Sequence, residues 1–163
     1  MDESVWSSFI ETRLRKNDPS LRDLKIKPSI TYEGVCSLAA ALCKNSRLKS
    51  LDLKSNKIGA IGARELANAL RFNFSLTHLD LTSAQIEHDG ATELANALAV
   101  STTLARLGLA ANNMGPAGAR EVAEALKHND SLVALELKMN KLGLKGSGFL
   151  AGALLVNTRL QSR

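Results

Sequence analysis

His78, Asp80 and Asp52 come nearest to a set of side chains that could do chemistry. An imidazole beside two carboxylates can pass protons to and from a substrate. Their spacing allows such a cluster. His78 and Asp80 are two apart, so a strand puts them on one face, and Asp52 precedes Asp80 by 28 residues in a sequence that repeats every 28. Proton transfer also needs burial or strong neighbours to tune the pKa, and an open sheet face offers neither. A solvated strand face is the expectation, and not an enzyme. His88 and His128 are scattered, and no metal-ligand spacing joins the histidines to Cys36 and Cys43. Gly59–Arg64 (GAIGAR) and Gly115–Arg120 (GPAGAR) are rich in glycine but do not run on into the Gly-Lys-Ser/Thr that holds a nucleotide phosphate. No catalytic residue, metal or cofactor is expected.

The elements that position these residues come from a repeat. Arg47–Phe74 reads RLKSLDLKSNKIGAIGARELANALRFNF, and Ser75–Thr102, Thr103–Asp130 and Ser131–Thr158 follow it without insertion, 28 residues each. Ser20–Ser46 is the same unit one residue short, with the deletion around Pro28–Ser29, where the turn should differ. A period in this range marks a solenoid. Residues 1–19 form an N-terminal helical cap, with Trp6, Phe9, Ile10 and Leu14 at helical spacing and Trp6 plugging the open core; Pro19 is expected to end that helix. Residues 159–163 begin a sixth strand. The whole chain, 1–163, reads as one domain with repeats 20–46, 47–74, 75–102, 103–130 and 131–158.

Within each unit the first part is x-Leu-x-x-Leu-x-Leu, as in Leu48, Leu51 and Leu53. Alternation with polar residues predicts a short strand with one buried face. Asn56, Asn112 and Asn140 follow the strands and can satisfy backbone groups in the turn, stacked as a ladder. Ala84 interrupts that ladder, with Ser83 as a substitute and local loosening expected. Gly34, Gly62, Gly90, Gly118 and Gly146 recur four residues after an apolar position. They point to a positive φ or to a close backbone approach. The second half is helical, with a face of leucine and alanine (Leu66, Ala67, Ala69, Leu70) and a charged outer face (Arg64, Glu65, Arg71).

Composition bounds the partners. The chain has 163 residues, 45% hydrophobic and 23% charged but only 4% aromatic, so the core is aliphatic. Cys36 and Cys43 lie two helical turns apart, roughly 10 Å, which is too far for a disulfide. Free thiols suggest a reducing, cytoplasmic setting. The start has no apolar run to serve as a signal peptide, and no stretch is long enough to span a bilayer. Net charge is +5, concentrated in residues 131–163, which hold five Lys/Arg against Glu136. That excess does not make a nucleic-acid groove. Neither nucleic acid nor membrane is an expected partner.

The pattern LxxLxLxxNxIgxxGaxxLAxALkxN, carried across residues 20–160, resembles the ribonuclease-inhibitor-like class of leucine-rich repeats. The resemblance implies an α/β right-handed horseshoe with parallel strands on the concave face and helices on the convex face. Similar repeats build the ribonuclease inhibitor, the sensor arms of NOD-like receptors, the Ran GTPase-activating protein and the C-terminal domain of tropomodulin, which binds actin at filament pointed ends. The shared role is protein–protein interaction, as a scaffold or regulatory module. The choice among actin, a small GTPase and a larger signalling protein stays open at this point.

Two surfaces stand out for a partner. The non-leucine strand positions should face the concavity: Lys25, Asp52, Lys54, His78, Asp80, Arg106, Glu136 and Lys138 among them. Asp52 and Asp80 should be neighbours, with Lys25 and Arg106 beside them. These charges either meet a protein or pair with one another and water. Arg106 is the best single anchor, since hot spots favour Arg and aromatics. The second surface is the last helix, where Phe149 replaces Glu65, Glu93 and Glu121, Leu155 stands in the place of Arg71, Ala99 and Lys127, and Val156 joins Phe149 on one face. Terminal repeats ordinarily turn a polar face outward. A chain cut from a longer array is the first explanation, and a partner covering this end is the second. An open last strand also allows edge-mediated self-association.

Overall fold

A computed structural model describes residues 3–27 and 30–160. In chain order the elements are α1 (Glu3–Arg15), β1 (Asp23–Lys25), α2 (Tyr32–Leu42), β2 (Ser50–Asp52), α3 (Gly59–Phe72), β3 (His78–Asp80), α4 (Glu87–Val100), β4 (Arg106–Gly108), α5 (Gly115–His128), β5 (Ala134–Glu136) and α6 (Gly143–Leu154). The strands form one parallel sheet in the order β1-β2-β3-β4-β5, and each helix crosses over between neighbours. The register sets Leu24, Leu51, Leu79, Leu107 and Leu135 side by side. Strands stack about 4.8 Å apart while packed helices need 8–10 Å, so the strand layer takes the shorter, concave arc. This is the leucine-rich repeat solenoid that the sequence predicts.

The core lies between the two layers. Leu51, Leu53, Leu79, Leu81 and Leu109 from the strand side meet Leu66, Leu94 and Val122 from the helices, all buried. Alanines at 67, 95 and 123 let adjacent helices approach. Gly90 shows how tight this is: a Cβ there would fall 3.1 Å from the Ala60 α-carbon and 3.0 Å from the Ala63 Cβ. The recurrent glycine therefore answers to close approach, inside a helix. The positive φ belongs to a different column. Gly59, Gly115 and Gly143 take φ of 66, 64 and 63°, and Glu87 holds the same place at 58°.

Two asparagine ladders tie the repeats together. In the strand-to-helix turns, Asn112 Nδ2 donates to the carbonyls of Leu81, Leu109 and Ala110 at 2.7–3.1 Å, and its Oδ1 accepts from the N–H groups of Ala84 and Ile86. Ala84 leaves the gap that the sequence predicts. Ser83 does not fill it, because its side chain points to solvent. The Thr82 hydroxyl oxygen is buried with no hydrogen-bond partner beside the gap. In the helix-to-strand turns, Asn73 Nδ2 donates to Leu42 O at 2.7 Å and Asn45 O at 2.9 Å, and Asn129 and Asn157 repeat the pattern.

The N-terminal cap differs from expectation in two ways. Phe9 is 62% exposed, with the Arg13 guanidinium 5.7 Å from its ring, and among the described residues Leu14 and Ile10 seat α1 on the core. The helix stops before Pro19 is reached: Asn17 turns left-handed at φ 53° and Asp18 N–H donates back to Arg13 O at 3.1 Å. The Trp6 side chain, the Pro28–Ser29 turn and residues 161–163 of the expected sixth strand lie outside the described residues. Among the described residues, Leu160 is held at the entry of that strand by the Asn157 side chain, 2.8 Å away, but forms no strand. Cys36 and Cys43 are free thiols and half-buried. No helix among the described residues is long and apolar enough to cross a membrane.

Candidate functional site

The concave face is built from three columns of side chains. The strand register places Ser50, His78, Arg106 and Ala134 in one row and Lys25, Asp52, Asp80, Gly108 and Glu136 in a second. Lys54, Thr82, Ala110 and Lys138 follow two residues further on in each repeat. All of these but Lys25, Thr82 and Ala110 line an open hollow of about 800 Å³.

One half of this hollow is internally satisfied. Lys25 Nζ lies 3.2 Å from Asp52 Oδ2, and Lys54 Nζ lies 3.0 Å from Asp80 Oδ2. Each aspartate also accepts from the N–H two residues on, Lys54 for Asp52 and Thr82 for Asp80, both at 3.0 Å. Two carboxylates on adjacent strands would repel. Lys54 lies between them and cancels that repulsion. Burial works to raise the Asp52 pKa, but the hydrogen bonds from Lys54 N–H and Lys25 outweigh it and hold the carboxyl below its ordinary value. The Lys54 ammonium is raised, first by its hydrogen bond to Asp80 and then by that carboxylate's charge.

The other half is open. Gly108 and Ala134 give it a floor of small residues. Asp80 reaches into it: a Cβ on Gly108 would fall 2.8 Å from the Asp80 Cγ. Sequence reasoning missed this pairing, although a glycine inside a strand is the mark of such an approach. Arg106, Glu136 and Lys138 are exposed and, among the described residues, in no ion pair. Arg106 does not stand beside the aspartates as expected. It aligns with His78, two residues along the strand from Asp80. His78 Nδ1 faces the Thr77 hydroxyl at 2.7 Å rather than a carboxylate, so the imidazole and the acids form no proton relay. No group of three His, Cys, Asp or Glu side chains among the described residues could hold a metal ion.

On α6, Phe149 is 41% exposed, Leu144 94% and Leu154 46%, and just past its end Leu155 is 89% and Val156 61% exposed. The apolar end read from the sequence is present, and it is separate from the concave hollow.

Comparison with known proteins narrows the architecture to one lineage. The TMOD/LMOD leucine-rich domain family matches residues 8–147. Among solved structures, "Leiomodin-1 Actin-Binding Site 2 (ABS2)" is 25% identical, covers 88% of this chain and 87% of its own, and superposes with a TM-score of 0.74. The tropomodulin C-terminal domain of Caenorhabditis elegans is 20% identical over 93% of this chain and 92% of its own, with a TM-score of 0.77, and shares the fold. No curated protein matches the chain.

Proposed function

The chain belongs to the TMOD/LMOD leucine-rich domain family, and from that membership we propose that it is an actin-binding module rather than an enzyme. The observation that carries the reading is the match to the leiomodin actin-binding structure along almost the full length of both chains. Of the roles left open by the repeat pattern, the tropomodulin-like one gains this support. The Ran-activator and receptor-arm roles do not.

Contact with the partner is assigned to the open half of the concave face. Lys25, Asp52, Lys54 and Asp80 neutralise one another and shape the wall, so they contribute little beyond the fold. Arg106, Lys138 and Glu136 are exposed and in no ion pair among the described residues, and His78 adjoins Arg106, so these four are the groups available to a second protein. Phe149, Leu155 and Val156 form a second, apolar contact for the same partner.

The test is equilibrium binding to actin by wild type, by Arg106→Glu/Lys138→Glu and by Phe149→Glu/Val156→Glu. The concave variant should weaken binding about tenfold or more. Undiminished affinity in both variants would remove these two surfaces. Absence of wild-type binding would remove the actin reading itself.

A further inference from the structure

The first three helix-to-strand turns carry a charge pattern that the overall balance hides. Residues 16–22, 43–49 and 71–77 hold Lys16, Arg22, Lys44, Arg47, Lys49 and Arg71. All six are exposed, and among the described residues none is in an ion pair. The one acid in these turns, Asp18, is taken up by Arg13 at 2.6 Å and by Ser20.

The turns are stacked on one another by hydrogen bonds, so these cations share one rim. Asn45 Nδ2 donates to Leu14 O at 2.8 Å, and Lys49 N–H donates to Arg22 O at 2.7 Å. Asn73 Nδ2 then donates to Asn45 O at 2.9 Å, and Thr77 N–H donates to Lys49 O at 2.9 Å. On the third turn, flanking the buried Asn73, stand Phe72 at 65% and Phe74 at 72% exposure. Stability does not require an aromatic at either place. The equivalent positions in the next two repeats are Val100 and Thr102, then His128 and Asp130. The fourth turn, residues 99–105, carries no charge at all. Cations on all three turns, with an aromatic pair on the third, are thus a local feature of one half of the rim.

We propose that this rim, anchored by Phe72 and Phe74 and flanked by Arg47 and Arg71, is a second docking surface for a protein segment that presents carboxylates beside an apolar side chain. The proposal rests on the actin reading, with actin as the protein that carries the segment. Six exposed cations with no ion pair among the described residues suit a partner that presents carboxylates, and two exposed phenyl rings suit an apolar side chain on it. A protein is favoured over a lipid surface because the solved structure that this chain matches along most of its length is an actin-binding one.

The experiment measures binding of the intact chain to filamentous actin over a salt series, with phosphatidylcholine vesicles with and without phosphatidylserine as a second probe. The variants are Arg47→Glu/Arg71→Glu and Phe72→Ser/Phe74→Ser. Among the described residues none of these side chains makes a hydrogen bond or ion pair, and thermal melts should match wild type; if the double charge variant fails to fold, Arg71→Glu alone replaces it. The expected result is a loss of actin affinity of about tenfold or more in each variant, with a weaker salt dependence in the charge variant. Wild-type actin binding that both variants retain overturns this surface and leaves the actin reading standing. Wild type that binds phosphatidylserine vesicles and not actin, with loss in the variants, overturns the protein partner and the actin reading together.

Discussion

The Asp80 carboxylate leans over Gly108 on the next strand, so close that a Cβ on residue 108 would sit 2.8 Å from its Cγ. This contact lets Asp80 meet Lys54 at 3.0 Å and completes the row of charges on the concave wall. Gly108→Ala should turn Asp80 aside, because the crowded atoms belong to the end of a side chain that can rotate. The ion pair is exposed, so stability should change by less than about 1 kcal/mol. The readout is the Lys54 titration followed by NMR: its raised midpoint should fall toward the ordinary lysine value. An unmoved midpoint would show that the pair survives.

Gly90→Ala should behave differently. Its Cβ would press on the Ala60 α-carbon at 3.1 Å, and backbone cannot rotate away. Overpacking of this kind costs about 1–3 kcal/mol, to be read from a denaturant titration. A loss no larger than that of Gly108→Ala would contradict the close helix packing.

The third repeat is the weak point of the array. It has Ala84 where Asn56, Asn112 and Asn140 stand in other repeats, and Glu87 at φ 58° where Gly59, Gly115 and Gly143 stand. Glu87→Gly should stabilise the protein by about 1 kcal/mol by relieving the left-handed backbone. Ala84→Asn should add about 1 kcal/mol if the ladder closes. Asn112→Ala removes five hydrogen bonds to buried backbone, and should cost about 3 kcal/mol. Thermal melts of the three variants test the order.

The repeat explains why the fold was legible in the sequence. Leu51, Leu79 and Leu107 recur at a fixed period, and that period alone predicts their register and burial. Leu107→Ala should accordingly cost about 2–5 kcal/mol, against well under 1 kcal/mol for the exposed Arg120→Ala. The irregular positions were harder to read. Nothing in the pattern distinguishes Gly59, which needs a positive φ, from Gly62, which needs room. Phe9 matches a core position by spacing yet lies on the surface, while Leu14 and Ile10 turn to the core. The cationic rim was hidden for another reason. Residues 1–130 are almost neutral as a sum, and only the stacking of turns sorts their cations to one edge.

Asp18 provides a pH signature of the cap. The Ser20 hydroxyl, then the Arg13 guanidinium and the Ser20 N–H, hold its carboxyl down to about 2. A lowered folded-state pKa stabilises above the unfolded value near 3.9 and loses that contribution as pH falls through the folded one. Acid between about pH 4 and 2 should therefore loosen the α1–β1 turn. Asp18→Asn should flatten this part of the stability profile. An Asp18 midpoint near 3.9 by NMR would contradict the geometry.

Whether this chain binds actin is decided by equilibrium co-sedimentation of the wild-type chain with actin filaments, extended by a binding assay on monomeric actin. Saturable binding to actin that weakens with added salt is the expected result. No saturable binding to either form at concentrations up to about 100 µM, equivalent to less than about 5.5 kcal/mol of affinity, would contradict it.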